Sequence, residues 1–347
     1  MSLATLWFVA VAVLWTGFFL LEGFDFGVGM LHGVLGRDEA GRRDAVGAIG
    51  PLWDGNEVWL IVAVAGMFAA FPGWYATVLS GFYPLMLVTL VGLILRGVSF
   101  EFRSHVAGPR GRRVWDATLT VGSAVIPFVL GVSLGGLLHG VPVDAAGEFT
   151  GNIGSLLSPY ALLVGITMTA LCLLHGAVFL DLRAHGEVRE RAVLAARVLA
   201  PVTGVIVLGF AVATQIVSGR GVLISVPELL AVLAVITAAV LVRERRLGLA
   251  FGATSLTIAA VVASIFGELY PRVLVSTTSP ANDLTVAGTA SSPYALGVMT
   301  VVAGVMLPVV LAYQGWTYHV FRRRLGVGNG AERDGTTVAG AAGAPGT

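Results

Sequence analysis

Four acidic residues stand inside apolar sequence where solvation works against them: Glu22 and Asp25 in the first apolar run, Asp54 and Glu57 at the head of the second. An acid at the centre of a membrane helix costs about 2.5–3.5 kcal/mol on insertion scales, and less near an interface. Each pair is spaced i, i+3, so its two carboxyls share one helix face. Arg96, Glu101 and Arg103 follow at the end of the third run and bring opposite charge to the set. Carboxyls held at such a cost suit the passage of protons through a hydrated relay. On this reading Asp25 and Asp54 are the relay groups, Glu101 is the acid at the mouth, and Arg96 tunes their charge. Glu22 and Glu57 serve either as secondary relay groups or in packing. The competing reading lets Glu57 and Glu101 snorkel to water and pair with arginine at the interface, which the short Asp side chains do less readily.

Other chemistries find less support. His32 and His319 fall at inner ends of runs, His139 at an outer end, and His105 and His185 in loops, so that His175 alone lies well inside a run. A membrane haem usually takes His, or His and Met, from spanning helices, and a single buried His is more often a hydrogen-bonded structural group. The residues therefore offer no haem-ligand set and no carboxylate and His cluster with metal spacing. Cys172 is the sole cysteine, which excludes a disulfide within the chain and suits a small packing group. Gly23 to Gly27 lies within an apolar run and lacks the strand-and-helix setting of a nucleotide loop.

The elements that must position the acids are helices in a membrane. Of 347 residues, 56% are hydrophobic and 12% charged, with a mean hydropathy of +0.87, against about 25% charged in soluble domains. A spanning helix needs about 20 apolar residues, and such runs fall at 4–34, 52–70, 75–96, 117–138, 159–181, 198–218, 226–242, 248–268 and 294–320. The first run lacks both a basic flank and a small-residue cleavage signal, so it is expected to be a retained helix. The seventh is short and abuts Arg243, and an eight-helix count would drop it. The glycines at 23, 27, 29 and 33 allow close approach to the first helix.

Arginine carries all the basic charge, because there is no lysine. Nineteen of the 21 arginines fall in the odd-numbered loops, their flanks and the tail; only Arg220 and Arg272 fall in the even loops. Basic residues mark cytoplasmic loops, so nine helices with the N-terminus outside and the C-terminus in the cytoplasm fit this alternation. Asp25, Asp54, Glu57, Arg96, Glu101 and Arg103 would then gather in the cytoplasmic half of one bundle. A formal charge of +1 gives no field for recruiting nucleic acid. The pentapeptide at 158–162, Ser-Pro-Tyr-Ala-Leu, recurs at 292–296; a Ser cap followed by Pro at the first helical position explains it without an internal repeat. Residues 325–347 are too poor in large apolar groups to fold and are expected to be disordered.

Three segments resemble subunit II of the cytochrome bd quinol oxidases: Glu22 to Met30 (EGFDFGVGM), Trp53 to Leu60 (WDGNEVWL) and Phe100 to Ser104 (FEFRS). The second is the most specific, and the resemblance continues through 80–83, 137–142, 150–152 and 255–257, so it covers nearly the whole chain. It implies an all-α integral membrane protein with two four-helix bundles, 1–138 and 139–270, then an outer loop and peripheral ninth helix in 271–324. It further implies a heterodimer with a subunit I that holds haems b and d and oxidises ubiquinol or menaquinol, in the bacterial cytoplasmic membrane. Small accessory subunits and lipids are left open, and this chain is expected to bind no haem through ligands of its own. The complex would reduce oxygen to water with cytoplasmic protons, and this subunit would supply part of their entry. Two departures stand out: Ala287 and Gly288 occupy the places of a common Trp-Asp, and the loop from Ser218 to Pro227 is short. A secondary transporter with an intramembrane acid relay is the alternative from another class.

Overall fold

The structure, a computed structural model, describes residues 2–106, 108–219 and 225–320. The expected disordered tail and Arg220, Arg322, Arg323, Arg324 and Arg333 lie outside the described residues. The chain runs α1 (Leu3–Leu35), α2 (Glu39–Gly47), α3 (Trp53–Ala70), α4 (Pro72–Gly81), α5 (Tyr83–His105) and α6 (Pro109–His139). It continues through α7 (Ile153–Leu156), α8 (Pro159–Arg183), α9 (Gly186–Ser218), α10 (Val226–Arg243) and α11 (Leu247–Leu269). The short antiparallel strands β1 (Arg272–Leu274) and β2 (Leu284–Thr285), then α12 (Val286–Thr289) and α13 (Pro293–Val320), complete it.

Among the described residues, α1, α5, α6, α8, α9, α10, α11 and α13 are the eight helices long and apolar enough to cross a membrane. The helix that falls short is α3, not the short seventh run. Asp54, Asn56 and Glu57 sit in its first turns and lower its apolar content. The third run differs too: it is not one helix over 75–96 but α4 and α5 meeting at Phe82. Pro84 has no N–H to offer the carbonyl of Ser80, so the first helix stops and a second begins. Several helices extend past their apolar runs at the arginine-rich end: α5 to His105, α6 from Pro109 and α9 from Gly186. At 33 residues α9 is about 50 Å long, against ~30 Å of hydrocarbon, so its first turns, with Glu187, Arg189, Glu190 and Arg191, extend beyond an apolar layer of that thickness.

At the centre α1 packs on α3, α6, α8 and α11, while α6 packs on α5 and α8. The closest approach is α1 on α8: a Cβ on Gly27 would lie 2.0 Å from the carbonyl oxygen of Cys172, and one on Gly176 would lie 2.5 Å from Gly27 Cα. Cys172 is buried in this seam as an apolar packing group. In contrast, Leu296 is the only buried residue of α13, which also packs Met299 and Tyr318 against the core and makes polar contacts at both ends. Trp7 Nε1 donates to Thr300 Oγ1 at 3.0 Å near one end, and Tyr318 and Gln314 reach α3 near the other.

The arginine-poor end is closed by the segments that follow α6 and α11. Val141 donates to the carbonyl of Val275 at 3.1 Å, and Val275 donates to that of Leu137 at the same distance. Both repeats of the pentapeptide are helix caps: Ser158 Oγ accepts from the Ala161 amide at 3.1 Å, and Ser292 Oγ from that of Ala295 at 3.3 Å. Their tyrosines diverge, since Tyr160 is buried against Thr214 while Tyr294 is exposed.

Gly27→Val places a branched side chain against the backbone of α8, where overpacking costs about 1–3 kcal/mol or more. It should cut the yield of monodisperse, detergent-solubilised protein, as read by size-exclusion chromatography. Gly33→Ala, with nothing within 4 Å of the added carbon, should leave the yield unchanged.

Candidate functional site

The α1, α3 and α5 helices bring an ionic cluster together inside the apolar layer. Arg96 is wholly buried, and its Nη1 pairs with Glu22 Oε1 and lies 3.6 Å from Glu57 Oε2. The aromatic rings of Phe26, Trp53 and Phe100 enclose the guanidinium, with centroids 4.9, 5.9 and 5.3 Å away. Cation–π contacts of this kind strengthen when the cation is desolvated. Trp53 and Phe100 also stack on each other at 4.8 Å, which fixes α3 against α5 at this level. The i, i+3 spacing puts Asp25 one turn from Glu22, where its Oδ2 accepts from Asn56 Nδ2 at 2.7 Å. Asn56 in turn accepts from Tyr318 Oη at 2.7 Å and from Gln314 Nε2 at 3.3 Å, so α13 closes over the cluster.

Two carboxyls therefore flank one guanidinium, with that of Asp25 one turn away on Asn56. One cation balances one anion, so the acids outnumber the charge that pairs with them. Asp25 Oδ1, Glu22 Oε2, Arg96 Nε and Arg96 Nη2 are buried without a hydrogen-bond partner from the protein. Buried polar atoms of this sort are what ordered water normally bridges.

The cluster differs in membership from the one expected. Glu22, Asp25, Glu57 and Arg96 come together, whereas Asp54 and Glu101 are exposed on the outward faces of α3 and α5. Asp54 remains close enough to Glu57 for their charges to interact. Arg103 belongs to a second group nearer the arginine-rich end: its Nε donates to Asp116 Oδ1 at 2.5 Å, and its Nη1 and Nη2 donate to Glu39 at 3.1 and 3.2 Å. Asp116 also accepts from Arg42 Nη1 at 3.3 Å and faces His32 Nε2 at 3.3 Å. Of the six charged groups expected to converge, Asp25, Glu57 and Arg96 meet, Arg103 joins the second group because α5 continues for two turns beyond Arg96, and Asp54 and Glu101 join neither.

Sequence reasoning missed Asn56, Gln314, Tyr318, Asp116 and Glu39. Asn56 lies between the two acids of α3 and, as a polar residue in the same turn, could have been read from the sequence; Asp116 falls one residue before the fourth apolar run. A third polar set was also missed. At the arginine-poor end Glu228 is buried and its Oε2 accepts from Gln215 Nε2 at 2.5 Å and from the Ser225 amide at 3.0 Å. The Ser-x-x-Glu capping pattern at 225–228 was the available signal.

The two buried histidines among the described residues, His32 and His175, are hydrogen-bonded within the chain. His175 places Nδ1 2.7 Å from Thr254 Oγ1 and Nε2 3.2 Å from the carbonyl of Leu20, and it stacks on Phe251 at 4.4 Å. His32 has Asp116 on one nitrogen and the carbonyl of Gly29 on the other at 2.7 Å. Both nitrogens of each ring are engaged within the chain.

Arg96→Gln strands Glu22 in the apolar layer and should destabilise the purified protein by about 3–5 kcal/mol, the usual cost of breaking a buried ion pair from one side. Adding Glu22→Gln should recover part of that loss. Thermal unfolding in detergent measures both.

Comparison with known proteins gives a consistent picture. The family model "Cytochrome bd terminal oxidase subunit II" matches residues 3–321. The cytochrome bd ubiquinol oxidase subunit 2 of Bacillus subtilis (strain 168) is 44% identical over 328 residues, covering 93% of this chain and 97% of that protein. The cytochrome bd-I ubiquinol oxidase subunit 2 of Escherichia coli (strain K12) is 36% identical over 351 residues, covering 90% and 92%. Among solved structures, a chain of the bd oxidase from Geobacillus thermodenitrificans superposes with a TM-score of 0.67 at 20% identity, covering 93% of this chain and all of that one; this likeness speaks for the fold. The match over almost the whole length, with the conserved-length relatives beside it, places this chain in the cytochrome bd terminal oxidase subunit II family.

Proposed function

We propose that this subunit carries cytoplasmic protons toward the oxygen-reducing centre of its complex through the Glu22, Asp25, Glu57 and Arg96 cluster. The family makes the chain part of a cytochrome bd quinol oxidase, an oxidoreductase of the aerobic respiratory chain and an integral protein of the bacterial membrane. It supersedes the transporter alternative. The partner is a subunit I that would hold haems b and d and oxidise quinol; electron transfer is assigned to it because the buried histidines of this chain are engaged within the chain. In the topology that accompanies this reading, α3 is a ninth spanning helix, the N-terminus is outside and the arginine-rich end is cytoplasmic. The α1, α3, α5 and α6 helices form one bundle, α8 to α11 the other, and α13 is peripheral.

The observation that supports the role most is the charge imbalance: three carboxyls gathered with one cation, Glu22, Asp25 and Arg96 wholly buried and Glu57 a quarter exposed. Such a set holds protons and can exchange them at small cost, while Arg96 keeps one carboxyl ionised to receive the next. Water formation consumes protons, so drawing them from the cytoplasm separates charge across the membrane. Asp54 and Glu101, on exposed faces flanking the cluster, are proposed as relay and mouth acids that collect protons at the surface.

The test uses the intact oxidase in proteoliposomes. Asp25→Asn keeps the shape and the bond to Asn56 but cannot carry a proton; it should slow oxygen consumption at least about tenfold, with haem content unchanged. Asp54→Asn should slow it less. Full turnover in Asp25→Asn with complete haem would overturn the relay, and loss of haem d would assign Asp25 to scaffolding instead.

A further inference from the structure

The face of α1 that carries Glu22 and Asp25 continues downward as Gly29 and His32, at intervals of three, four and three residues, so all four share one stripe. Asp25 and Gly29 are about 6 Å apart along the axis, and Gly29 and His32 about 4.5 Å. Opposite Gly29 stands Ser123 of α6, so close that a Cβ on Gly29 would lie 2.1 Å from its Oγ. Ser123 is wholly buried, and its hydroxyl has no hydrogen-bond partner from the protein. The residue before it, Gly122, backs onto Arg96, with a would-be Cβ 3.3 Å from Arg96 Cβ. An unpartnered hydroxyl thus occupies the level between the Asp25 cluster and the His32 group.

His32 is wholly buried and faces two acceptors: the carbonyl of Gly29 at 2.7 Å from Nδ1 and Asp116 Oδ1 at 3.3 Å from Nε2. A ring with a proton on both nitrogens satisfies both at once. Asp116 itself is held by Arg103 and Arg42, which favour its ionised form, and His32 is the one imidazole of the group. The charged groups around this pair are Arg42 and Glu39 from α2, Arg103 from α5 and Arg112 from α6. Arg42, Glu39 and Arg112 are part-exposed, with side chains 27%, 38% and 36% accessible, so the group reaches water at the arginine-rich end.

We infer that His32 and Ser123 are the inward leg of the proton path, taking protons from the arginine-rich surface to Asp25, with Asp116 as a positioning residue that fixes the His32 ring. The step is a simple transfer: His32 releases a proton to water, the water passes one along by way of the Ser123 hydroxyl to a carboxyl of the Asp25 cluster, and His32 is reprotonated from the surface. Each gap along the stripe suits one ordered water bridging polar groups. The inference rests on the proton-supply reading of the Asp25 cluster.

Ser123→Ala is the decisive variant, because it removes a hydroxyl that bonds nothing in the protein and adds no bulk against Gly29. His32→Gln is the second. In the intact oxidase both should lower oxygen consumption about tenfold and enlarge the solvent deuterium isotope effect, while haem content and the anaerobic rate of haem reduction by quinol stay at wild-type levels. Wild-type turnover and isotope effect in Ser123→Ala and His32→Gln, with Asp25→Asn slow, would overturn the inward leg and leave the cluster's role standing. If Asp25→Asn is also unimpaired, both readings fail. A defect confined to His32→Gln and accompanied by loss of haem would make His32 structural and likewise overturn the inference.

Discussion

Arg96 inside the apolar layer is the interaction on which the first half of the structure depends. A guanidinium cannot sit among apolar side chains unless its charge and donors are matched. Glu22 from α1 and Glu57 from α3 supply the charge, and three aromatic rings supply the wall. Meeting those demands requires α1, α3 and α5 to converge at one level, and that convergence is what lets the polar α3 lie among apolar helices at all. Residues that look unrelated follow from it. Gly92 and Gly122 bring α6 against the turn that carries Arg96, since a Cβ on Gly122 would meet the carbonyl oxygen of Gly92 at 2.9 Å.

The polar groups are arranged in tiers along the helix axes, and the tiers differ in chemistry. At the arginine-rich end, Asp116 and Glu39 are surrounded by arginines, a set balanced enough to hold its charges fixed. One level further in, the acids outnumber the single cation, which suits proton exchange better than charge storage. At the opposite end Glu228 is held by Gln215 and a backbone amide, and the loop segments tie off the helix ends through backbone bonds. The α13 helix, almost bare of buried residues, reaches the acid tier through Tyr318 and Gln314 on Asn56.

The membrane class, the places of the helices and the polarity of the arginines were legible in the sequence, because each is a local or one-dimensional property. Apolar runs report hydrocarbon contact, and they did so well enough to place eight spans. They did not report the charged turns beyond the hydrocarbon, so α5 and α6 were read too short and Arg103 was assigned to the wrong group. They also favoured the wrong helix for doubt, since a short run such as α10 is uniformly apolar while α3 spends its first turns on polar residues.

What the sequence by itself determined is that acids spaced i, i+3 on the first two helices carry an unmet solvation cost and share a face within each pair. What only the tertiary structure decided is which acids meet. A helical period gives the face of a residue; the level at which two helices cross depends on their relative shift and tilt. Here α5 and α1 are both seated on α6 through close approaches, Gly122 on Gly92 and Gly29 on Ser123, which have no local signature beyond glycine itself. That shift puts Glu22 rather than Asp25 against Arg96, leaves Asp54 and Glu101 outside, and brings Ser123 between Asp25 and His32.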